Sequence, residues 1–311
     1  MKAAILGSGL IGRSWAMVFA RGGHEVALWD QDEGQVEKAL AHIARTLPEM
    51  AEAGLIEDGP AVLSRIHGAA SLADALKGAA FVQENIVERA EPKQVLFAKV
   101  EELAEADAVL SSSTSAIMPS IIFSALKTRD RCLVSHPLNP PHLAPIVEIC
   151  GAEFTSGEAI ARAREFMAGC GMSPITVNRE VEGFILNRLQ LVLLNEAFRL
   201  ISEGYVTAED LDKTVKDGLA LRWSFMGPIE TIDLNAPNGV ADYLERYGPT
   251  IRRIGESAAT ATPWPDSIGA TLDGERRKDV PKDKLGEATA WRDRRLMALA
   301  AHKGSAENKP R

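Results

Sequence analysis

Residues 3–30 read AAILGSGLIGRSWAMVFARGGHEVALWD, and this stretch decides the predicted fold. The apolar run Ala3–Leu6 predicts a β-strand that ends in glycines, and Ile11–Arg21 has the spacing and length of a helix. A second strand is predicted at Val26–Trp29. A strand, a tight glycine turn, a helix and a second strand in about thirty residues predict a parallel unit with a right-handed crossover.

The glycine turn and the acid that follows it predict a dinucleotide site. Residues 7–12, GSGLIG, match GxGxxG, and an aspartate follows 18 residues after the last glycine. One glycine makes the turn, one lets the backbone approach a pyrophosphate, and one lets the helix pack closely on the strand. The predicted cofactor-binding residues are Gly7, Gly9, Leu10, Ile11, Gly12 and Asp30. The alternative is an ordinary strand-to-helix turn followed by a surface aspartate.

The acid at the end of the second strand favours NAD over NADP. Asp30 is expected to accept hydrogen bonds from the ribose hydroxyls, and its carboxylate would repel a 2′-phosphate. Neither Gln31 nor Asp32 supplies a compensating positive charge. NAD is therefore the expected cofactor.

Length and composition predict a folded protein of two domains. The chain has 311 residues, of which 46% are hydrophobic and 25% charged. Its net charge of -8 argues against nucleic acid and anionic membranes as partners. Three cysteines without CxxC spacing predict neither a disulfide framework nor a metal site. With no leader segment and no apolar run of about 18 residues, a soluble cytoplasmic protein is expected.

Apolar segments along the first half predict the further strands of a layered α/β domain. They are Ala80–Gln83, Ala108–Ser111, Cys132–Ser135, Ile146–Ile149 and Ile175–Val177. Residues 33–76 predict a helical excursion, and a long helix at residues 184–201 starts a helical second half. The expected fold is α/β, with a Rossmann-type, doubly wound, mostly parallel sheet in residues 1–180 and an all-helical domain in residues 181–311.

Four polar segments are candidates for catalysis. Ser111–Ser115 and His136 each follow a predicted strand, at the edge where open α/β sheets bind ligands. Glu148 lies inside an apolar strand, where a carboxylate needs a partner, and His136 can supply one. Asn187 lies near the start of the long helix. Taken singly, each also fits a structural role, as a self-bonded turn, an exposed histidine, an edge-strand glutamate or a capping asparagine.

Five segments together resemble the 3-hydroxyacyl-CoA dehydrogenase superfamily. They are GSGLIG at 7–12, SSSTS at 111–115, HPLNPP at 136–141, VEI at 147–149 and GFILNRLQ at 183–190. Within the superfamily the chain is more similar to the branch of the L-gulonate 3-dehydrogenases, also called lambda-crystallins. The segments that carry this similarity are HPLNPP, LRWSFMGPIETIDLN at 221–235 and VPKDKLGEATAWRDRRLMAL at 280–299.

The resemblance implies a role for each candidate residue. It implies that His136 is the acid/base and that Glu148 orients it. It also implies that Ser115 and Asn187 hydrogen-bond the substrate oxygen. The further residues implied to contact the nicotinamide half of NAD are Glu88, Lys93 and Asn139. No metal is implied, and members of the superfamily are usually homodimers joined through the helical domain, which is also expected to serve the substrate.

The implied activity is NAD-dependent oxidation or reduction at the 3-hydroxyl of a small hydroxy acid, as in L-gulonate 3-dehydrogenase. Acyl-CoA enzymes commonly have a small residue at Arg222, whose guanidinium would grip a free carboxylate or lie on the surface. Bacterial relatives of this kind also oxidise carnitine-like hydroxy acids. The alternatives are a short-chain 3-hydroxyacyl-CoA dehydrogenase and a non-catalytic NAD-binding protein with a structural or redox-sensing role.

Overall fold

The computed structural model describes residues 1–305, and residues 306–311, at the end of the predicted second domain, lie outside the described residues. The chain forms two compact units. One contains Met1–Arg188 and the C-terminal segment that starts at Trp291, and the other contains Leu189–Ala290. The predicted division between residues 180 and 181 stays a prediction.

The first unit is built on an eight-stranded sheet. Its strands are β1 (Lys2–Leu6), β2 (Glu25–Trp29), β3 (Ile66–Gly68), β4 (Ala79–Glu84), β5 (Val109–Ser112), β6 (Cys132–Pro137), β7 (Ile146–Cys150) and β8 (Ser173–Val177). In space the order is β3-β2-β1-β4-β5-β6-β7-β8. Every neighbouring pair is parallel except β6 and β7, which are antiparallel. The predicted Rossmann-type, mostly parallel sheet is confirmed.

Helices flank the sheet and build the second unit. The first unit contains α1 (Leu10–Arg21), α2 (Glu33–Glu52), α3 (Gly59–Leu63), α4 (Leu72–Leu76), α5 (Ala90–Leu103), α6 (Pro119–Phe123) and α7 (Gly157–Gly169). The helices that follow are α8 (Leu186–Ser202), α9 (Ala208–Lys213), α10 (Ala220–Trp223), α11 (Pro228–Asp233), α12 (Gly239–Thr260), α13 (Ile268–Asp279) and α14 (Leu285–Ser305). Within the described chain, none of them has the length and apolar character needed to cross a membrane.

The core lies on both faces of the sheet because alternate residues of each strand point to opposite sides. In β1, Ala3 and Ile5 are buried in one apolar cluster with Phe19 of α1. Leu6 is buried in the other cluster, with Phe97 of α5. Burial on both faces accounts for the continuous apolar runs by which these strands were predicted.

The region between β2 and β4 contains one strand that the sequence did not predict. Helices α2, α3 and α4 occupy most of the predicted helical excursion, but Ile66–Gly68 forms β3 at the edge of the sheet, parallel to β2. This strand is only three residues long. It is therefore too short to show the alternation that marks a strand in sequence.

The second unit leaves many large apolar side chains exposed. Ala197 of α8 is one of the few apolar residues of this unit that are buried in the described chain. Large exposed apolar side chains of its helices and turns include Leu189, Val192, Leu221, Phe225, Ile229, Leu234, Ile251 and Ile254. Such exposure is typical of a surface that another protein surface covers.

Substitution of Gly12 tests the close approach of α1 to the glycine turn. A Cβ atom on Gly12 would lie 1.8 Å from the carbonyl oxygen of Gly7, whereas one on Gly9 would have no atom within 4 Å. Because backbone must move, we expect Gly12→Ala to lower the free energy of unfolding by about 1–3 kcal/mol. The control Gly9→Ala lacks this clash, and because it only replaces glycine by alanine at the N-cap it should lower the free energy of unfolding by less than about 1 kcal/mol. Equal urea-denaturation midpoints for the two variants would contradict this expectation.

Candidate active site

The glycine turn between β1 and α1 leaves open space at the helix N-terminus. Gly7 has a φ of +91°, and a Cβ there would lie 2.8 Å from the backbone of Asn85. Gly9 is the N-cap of α1, whose first turn contains Leu10 and Ile11, and its Cβ position has no neighbouring atom within 4 Å. A phosphate can therefore approach backbone N–H groups at the positive end of the helix.

Asp30 is held beside the same turn. Its Oδ2 atom accepts hydrogen bonds from the backbone N–H of Ser8 at 2.7 Å and from the Ser8 hydroxyl at 3.0 Å. Its Oδ1 atom accepts the N–H of Asp32 at 3.1 Å. A carboxylate fixed at this point suits ribose hydroxyls as donors, so these residues and the open turn fit NAD.

His136 and Glu148 form a buried pair on the two antiparallel strands. They lie directly opposite each other in the register of β6 and β7. The imidazole Nδ1 is 2.7 Å from Glu148 Oε2, and the two side chains are 4% and 0% exposed. A carboxylate at Nδ1 favours the proton on that nitrogen, which leaves Nε2 as the acceptor. Nε2 makes no hydrogen bond within residues 1–305.

The other oxygen of Glu148 anchors the start of α8. Oε1 accepts the backbone N–H groups of Ile185 at 2.8 Å and Leu186 at 2.9 Å. Burial raises the pKa of Glu148, but the hydrogen bonds from His136 and from these two N–H groups outweigh it, and the pKa is lowered overall. The carboxyl therefore stays ionised in the range where an imidazole exchanges protons.

A strained backbone turn delivers those two N–H groups. Gly183 and Phe184 have φ values of +76° and +49°, and Phe184 is the non-glycine residue with positive φ in the described chain. The Phe184 ring is fully buried, and its centroid is 5.5 Å from that of His136. Such conformations persist where the surroundings enforce them. Phe184 was not among the residues predicted from the sequence, although the glycine before it is a signal for this turn.

The hydroxyls of Ser111–Ser115 are not equivalent. The first four donate hydrogen bonds within the protein, and the bonds are Ser111 to Ser135 at 2.8 Å, Ser112 to Glu84 at 2.5 Å, Ser113 to Asn85 at 2.7 Å and Thr114 to Glu88 at 2.5 Å. Ser115 is exposed, and its hydroxyl has no bond within the described residues. Ser115 thus has the hydroxyl of this turn that is free to meet a substrate.

Asn187 and Ser115 are neighbours. The Asn187 side-chain amide donates to the backbone carbonyl of Ser115 at 2.7 Å. This bond uses one of the two amide N–H groups and leaves the second without a partner in the described part of the chain. The structure therefore brings these two predicted residues together, and it pairs His136 with Glu148.

Lys93 and Glu88 lie in one charged network behind the Ser115 turn. Lys93 is 1% exposed, and its ammonium is 2.7 Å from Glu84 Oε1 and 3.4 Å from Glu88 Oε2. Glu88 accepts the backbone N–H of Ser115 at 2.7 Å. The implied contacts of Glu88 and Lys93 with nicotinamide stay predictions. Glu84 was not among the residues predicted from the sequence, although an acid at the end of a buried strand is a signal for such a role.

The two remaining predicted residues take part in none of the hydrogen bonds described above. Asn139 is exposed and precedes a cis proline, Pro140. Arg222 belongs to α10 of the other unit, where it is exposed and makes no ion pair with any described residue. Their assignments to the cofactor and the substrate stay predictions.

The possible metal ligands and the thiols of the described residues form no reactive site. They contain no group of three or more histidine, cysteine, aspartate or glutamate side chains placed to hold a metal ion. Cys132, Cys150 and Cys170 are free and buried. Burial raises the pKa of each thiol to about 12. None of the three is therefore suited to act as a nucleophile.

Two family models cover most of the chain. The 3-hydroxyacyl-CoA dehydrogenase NAD binding domain matches residues 2–181, and the 3-hydroxyacyl-CoA dehydrogenase C-terminal domain matches residues 183–266. The chain belongs to the 3-hydroxyacyl-CoA dehydrogenase family. As a member of that family it is an oxidoreductase that binds NAD. The resemblance drawn from the five sequence segments is thereby confirmed.

Relatives in the 3-hydroxyacyl-CoA dehydrogenase family match nearly the full chain. A lambda-crystallin homolog of Mus musculus is 39% identical over 304 residues, 95% of this chain and 94% of that protein. An L-carnitine dehydrogenase of Pseudomonas sp is 33% identical over 311 residues, 98% of this chain and 95% of that protein. Similarity to the lambda-crystallin branch is thus also confirmed.

A solved structure supports the fold over the whole chain. The NAD+ dependent dismutase 5-formyl-3-hydroxy-2-methylpyridine 4-carboxylic acid 5-dehydrogenase superimposes with a TM-score of 0.83, covering 98% of this chain and 99% of that one. At 24% sequence identity, this likeness shows the shared fold alone.

The ionised state of Glu148 predicts how stability depends on pH. Because its pKa in the folded protein is below the ordinary value of 4.5, the stability it contributes is present above pH 4.5 and is lost as the pH falls through the folded pKa. We expect Glu148→Gln to lower the free energy of unfolding by about 1–3 kcal/mol at pH 7. This difference from the wild type should shrink below pH 4.5.

Urea denaturation at a series of pH values measures this difference. Glu37→Gln, at an exposed position on α2, is the control and should differ little from the wild type at any pH. A Glu148→Gln difference that stays constant from pH 7 to well below pH 4.5 would show that the carboxylate charge is not what matters.

Proposed function

We propose that the protein catalyses NAD-dependent oxidation and reduction at the 3-hydroxyl carbon of a small hydroxy acid, with L-gulonate as the type of substrate. The observation that carries this proposal is the buried His136–Glu148 pair, 2.7 Å apart, in which the second imidazole nitrogen has no bond to any residue of 1–305. A histidine held in one tautomer by a carboxylate is suited to take a proton from an alcohol.

Proton transfer is the task of the protein in this reaction. In the oxidative direction, Nε2 of His136 accepts the proton of the substrate hydroxyl. Glu148 then stabilises the imidazolium through its bond to Nδ1. Bound NAD supplies the hydride acceptor. In the reductive direction, the imidazolium returns the proton to the oxygen.

The substrate oxygen is proposed to bind Ser115 and Asn187. The Ser115 hydroxyl and the second amide N–H of Asn187 have no partner among the described residues, and the two residues are joined by a 2.7 Å hydrogen bond. Two donors directed at one oxygen stabilise the negative charge that develops on it.

A free carboxylate distinguishes the proposed substrates from acyl-CoA thioesters. L-carnitine, the substrate in the name of a relative with 33% identity, is a 3-hydroxy acid with a free carboxylate, and so is L-gulonate. Arg222 offers an exposed guanidinium without an ion pair in the described chain, and a guanidinium binds a carboxylate through two parallel hydrogen bonds. Arg222 is therefore proposed to bind the carboxylate.

A short-chain 3-hydroxyacyl-CoA is the second candidate substrate. It is favoured by the two matching family models, which together extend from residue 2 to residue 266. Fold and family do not by themselves fix the substrate, because one scaffold serves several related substrates.

An NADH absorbance assay with four substrates tests the proposed reaction. The substrates are L-gulonate, L-carnitine, 3-hydroxybutyrate and 3-hydroxybutyryl-CoA. We expect turnover of a free hydroxy acid, and we expect His136→Gln to lower kcat by about 100-fold or more because the proton acceptor is lost. Turnover of the thioester alone would favour the second candidate. NADH binding without turnover of any of the four would favour a non-catalytic role.

Substitution of Arg222 tests the carboxylate contact. We expect Arg222→Ala to lower kcat/KM for the free acid by about tenfold or more, mainly through KM, because a bidentate charged contact is lost. Arg295→Ala, at another exposed arginine, is the control and should have no comparable effect. A change of less than about twofold for Arg222→Ala would rule out this role.

A homodimer is the proposed assembly. Val192 of α8 and Ile254 of α12 are 69% and 60% exposed, and a second copy would remove such side chains from water. Sedimentation velocity should therefore give twice the chain mass. The double variant Val192→Asp/Ile254→Asp should shift the protein toward monomer, whereas Val95→Asp on α5, 55% exposed in the wild type, should not. Wild-type protein sedimenting as a monomer would contradict the proposal.

A further inference from the structure

Glu84 ends β4 with its side chain fully buried and each oxygen bonded. Oε1 accepts hydrogen bonds from the ammonium of Lys93 at 2.7 Å and from the backbone N–H of Ile86 at 2.6 Å. Oε2 accepts the hydroxyl of Ser112 at 2.5 Å. Burial raises the pKa of Glu84 overall, although the Lys93 ammonium and these hydrogen bonds oppose that rise. A carboxylate enclosed in this way contacts no substrate, so its function lies in positioning the protein groups that it binds.

Glu84 fixes the beginning of the Ser112–Ala116 turn, which contains the Ser115 hydroxyl. The Ser112 hydroxyl donates a hydrogen bond to Glu84 and accepts one from the backbone N–H of Thr114 at 3.2 Å. This orientation of the Ser112 hydroxyl depends on Glu84, because an acceptor on β4 fixes where the hydroxyl proton points.

Through Lys93, Glu84 also fixes the position of Glu88. The Lys93 ammonium lies between the two carboxylates, 2.7 Å from Glu84 and 3.4 Å from Glu88. Oε1 of Glu88 accepts the backbone N–H groups of Ser115 at 2.7 Å and Ala116 at 3.2 Å. Burial raises the pKa of Glu88, but its hydrogen bonds and the Lys93 charge outweigh this effect and lower it overall.

We propose that Glu84 is a positioning residue of the active site, which fixes the Ser112–Ala116 turn at its beginning through Ser112 and at its end through Lys93 and Glu88. The carbonyl of Ser115 in turn accepts the amide of Asn187 at 2.7 Å. Glu84 thereby sets the position of both groups assigned to the substrate oxygen. This inference rests on the proposed function for its kinetic consequence, but the hydrogen-bond network can be tested without it.

Stability alone does not explain why the Lys93–Glu84 ion pair is buried. Removing two charges from water costs about as much as their attraction returns, and apolar replacements are often neutral or stabilising. A run of serine and threonine residues can also satisfy its own backbone without help from outside. The Glu84–Lys93–Glu88 network instead imposes one geometry on the Ser112–Ala116 turn, as the partners of metal ligands and catalytic histidines do.

Amide hydrogen exchange of the full chain without cofactor tests the network directly. We expect Glu84→Gln to speed exchange of the Ser115 and Ala116 N–H groups by about tenfold or more, because the charge that holds Lys93 and Glu88 is lost. The N–H groups of Ile185 and Leu186, which bond Glu148, should be unchanged. Unchanged exchange at Ser115 and Ala116, or equally faster exchange throughout the sheet, would overturn the proposal.

Steady-state kinetics test the consequence for catalysis. With the substrate that the wild type turns over best, Glu84→Gln should lower kcat by about tenfold or more. Glu101→Gln is the matched control, because Glu101 also accepts an N–H and a hydroxyl, both from Thr128, away from these residues. It should leave kcat within about twofold. An equal loss of kcat in Glu101→Gln would overturn the proposal.

A double-mutant cycle separates a shared path from two independent effects. Because Glu84 acts in part through Glu88, the double variant Glu84→Gln/Glu88→Gln should lose less kcat than the product of the two single losses. Multiplicative losses of kcat would overturn the route through Glu88.

If Glu84→Gln alone does not fold, the double variant Glu84→Gln/Lys93→Met removes both charges of the buried pair, and the same difference in amide exchange is expected. If the wild type turns over none of the four substrates, the proposed function fails, whereas the exchange result still decides the network.

Discussion

The bond between the His136 imidazole and the Glu148 carboxylate is the interaction on which the rest of the site depends. It exists because β6 and β7, the antiparallel pair of the sheet, place the two residues opposite each other. A buried carboxylate needs several donors, and Glu148 finds the others at the start of α8. The helix that carries Asn187 therefore begins where the pair lies, and one charge organises three chain segments.

Most of the fold was predictable because short-range sequence patterns determine its strands, turns and helices. The glycine turn, the apolar strands and the long helix α8 each show a spacing that local geometry requires. The edge strand Ile66–Gly68 was missed because three residues carry no alternation. The positive φ of Phe184 was missed because it is enforced by the surroundings of a buried ring and has no residue type of its own.

The site was predictable in part. An acid inside an apolar strand pointed to a partner, and His136 was within reach. Spacing alone could not tell which hydroxyl of Ser111–Ser115 stays free, since that depends on partners from three neighbouring segments, and it was the family resemblance that singled out Ser115. The bond of Lys93 to Glu84 depends on how α5 returns to the sheet, so spacing alone could not show it. The proposed role of Arg222 has no counterpart in the contacts of the described residues, where its side chain is exposed.

The three buried cysteines have a consequence for how the protein responds to oxidants. A thiol whose pKa is about 12 is ionised to only about one part in 100,000 at pH 7, and the thiolate is the form that peroxides and disulfides attack. The three thiols are therefore poor targets for peroxides and disulfides, and we expect no reversible thiol switch at these buried positions.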